Sequence, residues 1–99
     1  VSEEVVALCV LLWAREGRAA ELASYEDDVL ELLAEVGAAV VARLQGAHAH
    51  EGPDEVQVIA FPTADAFDSF MSHPSRLAMG VRRDEVVERT EVLRFDRLG

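Results

Sequence analysis

Residues 56–74, VQVIAFPTADAFDSFMSHP, constrain the fold more than any other stretch. Val56, Val58 and Ala60 alternate with Gln57, Ile59 and Phe61, the period of a β-strand. Pro62 has no N–H to donate, so a ladder stops there. Thr63 offers a hydroxyl oxygen to cap a helix, and Asp65 puts negative charge in its first turn, where the helix dipole favours it. Ala66, Phe67, Phe70 and Met71 then share one helical face, and Pro74 breaks the helix or starts a second one. A strand, a tight turn and an amphipathic helix in 19 residues describe half of an α+β unit.

The remainder supplies the matching half. Residues 5–13, VVALCVLLW, are apolar without alternation. A strand apolar on both faces is covered on both, so this is a central strand. Residues 14–18 form a loop hinged at Gly17, and residues 19–36 a helix. Leu22, Tyr25, Val29, Leu32, Leu33 and Val36 make its apolar stripe. Glu21, Glu26, Asp27, Asp28, Glu31 and Glu35 make a solvated acidic face, and Gly37 fits the position that ends the helix. Residues 38–48 read as the second strand, residues 48–54 as a hairpin turn, and residues 55–61 as the third strand. The second helix covers residues 63–72, with a further helical turn or two over residues 74–81 that the charged residues 82–88 could extend. Residues 89–96 form the last strand. The order β-α-β-β-α-β predicts a ferredoxin-like α+β fold, two helices on one face of a four-stranded antiparallel sheet, with strands one and four in the centre.

Such a sheet has one face under helices and one bare. The helix-facing set is predicted as Val40, Ala42, Leu44, Val56, Val58, Ala60, Leu93 and Phe95. The other face then carries Val41, Ile59, Phe61 and Val92 with Arg43, Gln45, Gln57 and Arg94. An apolar patch of that extent is seldom left in water, so the sheets of two copies should pack face to face in a homodimer.

Length and charge bound the function. Ninety-nine residues make one domain, residues 1–99. With 19 acidic and 9 basic residues, all arginine, the net charge is −10, which repels phosphate backbones and anionic membranes. Neither nucleic acid nor membrane is an expected partner. Cys9, the single cysteine, has no internal disulfide partner and reads as an inert core residue. The nine-residue apolar run is too short to span a bilayer and lacks the flanks of a signal peptide, so a cytoplasmic location is expected.

These motifs resemble the dimeric α/β-barrel superfamily, closest to its short bacterial members. The residues carrying the resemblance are Tyr25-Glu26, Val36-Gly37-Ala38 followed by Val41-Ala42-Arg43, Val58 to Thr63 with Ala66 and Phe70, and Ser72-His73-Pro74. The family's helix usually starts after Phe-Pro-Ser and ends near an aromatic followed by Ser-Pro. Here Thr63 replaces the serine and His73 intervenes before Pro74. The resemblance implies a dimer and a small-molecule pocket between sheet and helices. Relatives include cofactor-independent monooxygenases of aromatic polyketides, lactone isomerases, cyclases and haem enzymes, and the scaffold hosts many chemistries. A haem enzyme is a poor match, because no histidine has a justified axial position.

Seven residues are candidates for the site. As catalytic groups, Arg43 would stabilise developing negative charge, and His48 or His73 would move a proton. Trp13, Tyr25, Phe70 and Arg94 would bind the substrate. All but Arg94 have a structural alternative. Arg43 could pair with Glu55, His48 could be an exposed hairpin residue, and His73 could satisfy helix-end carbonyls. Tyr25 and Phe70 could be core, and Trp13 could cap the core. His48 and His50 point the same way on a strand and could take a metal with Glu51 or Asp54, but no third ligand is fixed, and no metal is expected. There is no Gly-rich phosphate loop, dinucleotide fingerprint or nucleophile triad. The expected function is an enzyme without bound cofactor acting on an aromatic or enolisable metabolite (a monooxygenase, isomerase or cyclase). The alternative is a non-catalytic dimeric module that binds or interacts.

Overall fold

The computed structural model describes residues 5–47 and 51–95. The elements run β1 (Val6–Ala14), α1 (Ala19–Glu31), a 3-10 segment (Leu32–Val36), β2 (Ala39–Gln45), β3 (Glu55–Phe61), α2 (Ala64–Met71), α3 (Pro74–Ala78), α4 (Gly80–Val86) and β4 (Val87–Phe95). The predicted fold is the observed one, a ferredoxin-like α+β domain with an antiparallel four-stranded sheet.

Local chemistry sets the boundaries. Thr63 accepts a hydrogen bond at Oγ1 from the Ala66 N–H at 3.0 Å, the expected cap of α2. His73 caps α3, its Nδ1 accepting from the Ser75 N–H at 3.0 Å, and Pro74 fills the first helical position, where no N–H is needed. The predicted 18-residue first helix tightens after Glu31 into 3-10 geometry, a common way for last carbonyls to find donors. Gly37 at φ 71° then turns the chain, a left-handed conformation that glycine adopts without a Cβ penalty.

The strand order is β2-β3-β1-β4, so β1 is central as expected but β4 is an edge. The prediction of strands one and four in the centre is corrected by how the crossovers work. Each β-α-β crossover skips one strand: β3 fills the gap between β1 and β2, and β1 fills the gap between β3 and β4.

The register also reverses the predicted faces, Val40 excepted. Val6, Leu8 and Leu12 of β1 stand opposite Phe61, Ile59 and Glu55 of β3, and all six are buried beneath the helices. Gln57 joins them at 1% exposure. The core closes over this layer with Leu22, Tyr25, Val29 and Leu33 from the first helical segments, Phe70 from α2, and Val86 and Val87. Phe61 meets Phe67 edge-on at 5.4 Å between centroids and Phe70 at 5.6 Å. Val56, Val58 and Ala60 lie on the opposite, bare face, with Ala7, Cys9, Leu11 and Trp13 of β1 and Leu93 and Phe95 of β4. Leu44 lies opposite Val56 there. A shift in register between Val40 and Ala42 sets Val41 as an extra residue, so Val40 lies opposite Ile59 while Ala42 lies opposite Val58. Cys9, expected in the core, is therefore a half-buried residue of the bare face, between Val58 and Leu93. The molecule is a slab, 47 × 32 × 16 Å, one sheet and one helical layer thick.

Among the described residues no helix is long and apolar enough to cross a membrane.

Candidate functional site

A cavity of about 110 Å³ opens between the helices and the covered face of the sheet. Its walls are mostly apolar, including Leu8, Ile59, Phe61, Phe67 and Phe70. Six polar side chains face it: Tyr25, Glu26, Gln57, Arg76, Arg83 and Thr90. An apolar hollow with a few convergent polar groups is the usual form of a small-molecule site.

Glu26 is the group that sequence reasoning missed. It was placed on the solvated face of the first helix, but it is only 6% exposed. Its position explains the burial. Glu26 follows Leu22 by four residues and precedes Val29 by three, so it belongs to the apolar stripe. Gln57 Nε2 donates to Glu26 Oε1 at 2.7 Å and to Glu55 Oε2 at 2.7 Å. The amide nitrogen must face both carboxyl groups, since its carbonyl would repel them. Burial holds the Glu26 carboxyl above the usual carboxylate range. The hydrogen bond from Gln57 opposes that shift, the nearby Glu55 charge adds to it, and Arg43 and Arg83 oppose it.

Tyr25 sits next to Glu26 in the chain and also lines the cavity. Burial raises its hydroxyl above the ordinary phenol value, helped by the Glu26 charge and opposed by Arg83, Arg76 and Arg82. At neutral pH it is a neutral hydrogen-bond donor. Arg82 stands over the Tyr25 ring at 5.6 Å and pairs with Asp28. Arg83 donates from Nη2 to Thr90 Oγ1 at 3.0 Å. Arg76 donates from Nη1 to the Met71 carbonyl at 3.0 Å and stands 5.6 Å from the Phe70 ring centroid.

Of the other predicted site residues, Phe70 lines this cavity and is buried. Arg43 does not line it. Its Nε donates to Glu55 Oε2 at 2.8 Å and its Nη2 to Glu55 Oε1 at 3.2 Å and the Ala23 carbonyl at 2.8 Å, while Nη1 pairs with Asp27. These bonds, led by Glu55, raise its pKa further against the opposing effect of burial, so it is a cation already committed to structural partners. Arg43 borders a second, wider cleft of about 360 Å³ beside the β2–β3 hairpin. His48, and with it His50, lies outside the described residues. His73 is spent as a helix cap, and its Nε2 stands 3.2 Å from Glu35 Oε1. Trp13 is on the bare face with the Arg89 guanidinium 4.4 Å above its ring centroid. Arg94 is exposed on the edge strand β4 and is not part of the cavity wall. Among the described residues no three His, Cys, Asp or Glu side chains cluster as a metal site.

No protein-family model matches the chain, and no curated protein matches it. Solved structures do. A protein of unknown function from Rhodopseudomonas palustris superposes with a TM-score of 0.80 at 23% identity, over 98% of this chain and 85% of that one. SnoaB, a cofactor-independent oxygenase from Streptomyces nogalater, superposes with a TM-score of 0.74 at 16% identity, over 97% of this chain and 95% of its own. A dimeric protein of unknown function with a ferredoxin-like fold from Bacteroides fragilis gives a TM-score of 0.73 at 15% identity, over 98% of this chain and all of its own. At these identities the likeness is one of fold, and it agrees with the resemblance drawn from the motifs.

Proposed function

We propose that this ferredoxin-like chain is a homodimeric enzyme that moves a proton on an aromatic or enolisable metabolite without a bound cofactor, in the cavity between helices and sheet. One observation carries the reading: the buried carboxyl of Glu26, raised by its surroundings, faces a mostly apolar hollow. A carboxyl whose pKa is moved up toward neutrality is a stronger base when ionised and a usable acid when protonated. Glu26 takes a proton from an activated C–H or a phenolic O–H of the bound molecule. The Tyr25 hydroxyl donates to the oxygen on which negative charge develops. Gln57, anchored on Glu55, keeps Oε1 of Glu26 occupied and leaves Oε2 for the substrate. The oxygenase of like fold works without a cofactor, which supports that part of the reading.

The dimer rests on the bare sheet face. Val56, Val58, Ala60, Leu11, Leu93 and Phe95 form one apolar surface there, with Phe95 54% and Leu93 47% exposed. A second copy covers it by twofold packing, and one protein of like fold is dimeric.

The test is hydrogen–deuterium exchange of phenylacetone in D₂O, followed by NMR. The wild-type protein should accelerate exchange at the activated carbon, and Glu26→Gln should lose roughly 100-fold or more of that acceleration. Probe binding with no acceleration would leave a binding module in place of an enzyme. Equal acceleration by both proteins would remove Glu26 from the mechanism.

A further inference from the structure

The cavity carries more cation than its chemistry so far uses. The chain has a net charge of −10, and among the described residues Arg18, Arg43, Arg82 and Arg89 each pair with a carboxylate. Arg76 and Arg83, both in the cavity wall, form no such pair among the described residues. Their side-chain bonds go to a carbonyl and a hydroxyl, neutral acceptors, and the one acid felt by Arg83 in the cavity wall is Glu26, which makes no ion pair with it. Both are half-buried, so they stand where the apolar wall meets solvent. Arg15 and Arg94 also form no ion pair among the described residues, but only Arg76 and Arg83 stand together on one small hollow, where they are positioned for a negative charge that the ligand brings.

Size narrows the rest of the ligand. The cavity holds about 110 Å³. An enclosed apolar cavity of about 150 Å³ takes one benzene ring, so this smaller, open hollow covers part of one ring, with the rest of the ligand projecting through the mouth, and does not enclose a fused polycycle. Phe61, Phe67 and Phe70 offer ring edges and faces to a flat apolar body.

We infer that the cavity binds a monoanionic molecule no larger than one six-membered ring, its carboxylate or phenolate held at the mouth by Arg76 and Arg83 and its apolar body against the phenylalanine cluster. The acidic position of the substrate then points inward, toward Glu26, and the anionic group stays away from that carboxyl. This inference rests on the cavity being the ligand site proposed above and adds the charge and size of what it takes.

The test compares benzoate, its neutral counterpart benzyl alcohol, and the bicyclic 2-naphthoate, with affinities from ligand-observed NMR. Benzoate should bind roughly tenfold or more tightly than benzyl alcohol, the usual gain of a charge-assisted hydrogen bond, and 2-naphthoate should bind more weakly than benzoate. In the variant carrying Arg76→Gln and Arg83→Gln, benzoate and benzyl alcohol should become equal while benzyl alcohol keeps its wild-type affinity. Both arginines are half-buried, and circular dichroism checks the fold of the variant. Should that variant fail to fold, the wild-type ratio decides alone. Equal wild-type binding of benzoate and benzyl alcohol overturns the anion inference and leaves the ligand site standing. Binding of 2-naphthoate as tight as benzoate overturns the size limit. Absence of binding by all three overturns the ligand site itself, and the inference with it.

Discussion

A carboxylate at position 58 should split the protein into monomers. Val58 lies on the bare face of β3, opposite Cys9 of the central strand, so Val58→Asp puts a charge at the middle of the proposed contact. The exposed apolar residues of that face set the scale: Leu44 is 60%, Phe95 54% and Leu93 47% exposed, side chains that an interface would cover. Burying an unpaired carboxylate costs several kcal/mol after relaxation. At about 2 kcal/mol for each of two copies, the dimer loses about 4 kcal/mol, roughly a thousandfold in its dissociation constant. The free protomer loses little, because Val58 is only half-buried within it. Sedimentation equilibrium at micromolar concentration should give a dimer for wild type and a monomer for Val58→Asp. Val81→Asp is the control: its site is 74% exposed on the helical side and the dimer should persist. Should Val58→Asp unfold, Leu93→Asp on the edge strand tests the same face. A wild-type monomer at that concentration, or a Val58→Asp dimer of unchanged strength, would refute the reasoning.

Three further outcomes follow from the buried network and the caps. Glu26 has a folded pKa above its unfolded one, so between those two values the native state keeps a proton that the unfolded chain releases. Stability should therefore fall as pH rises from the ordinary carboxylate range to the raised value and then level off. Glu26→Gln should remove that slope in urea melts taken across this range. Gln57→Leu deprives Glu26 of its donor while Arg43 still holds Glu55, and should cost about 1–3 kcal/mol. It should also push the Glu26 carboxyl higher, widening the same pH window, because the Gln57 bond works in the opposite direction. Thr63→Ala removes the cap of α2 and should cost about 1 kcal/mol, read as a shift in the urea midpoint at constant slope.

The architecture was legible because its signals are local. The β3–Pro62–Thr63–α2 stretch encodes its own turn and cap, and the two-sided apolarity of β1 placed it at the centre. The faces of β3 were not legible, because its alternation is real on both sides. Val56, Val58 and Ala60 form the more uniformly apolar set, yet Glu55, Gln57, Ile59 and Phe61 go under the helices. Two of those four are polar, and they tolerate burial only because Glu26 and Arg43, from α1 and β2, arrive as partners. Alternation within one strand cannot show partners supplied by others. The same gap hid Glu26: its charge argued for solvent, while its spacing from Leu22 and Val29 argued for the core. For Arg43 the pairing with Glu55, weighed beside a catalytic role, is formed. Arg76 had one signal, its place beside the Pro74 break, since a broken helix often borders a cavity; Arg83 had none, since a cation without an ion pair is apparent only once its neighbours are placed.

The chain contains one tryptophan and one tyrosine, and the fold puts them on opposite sides of the sheet. Trp13 lies on the bare face beneath Arg89, and Tyr25 lines the cavity beside Glu26. Tryptophan emission, excited at the red edge of the indole band where tyrosine does not absorb, therefore reports without any label on the face proposed for the dimer and is silent on the cavity.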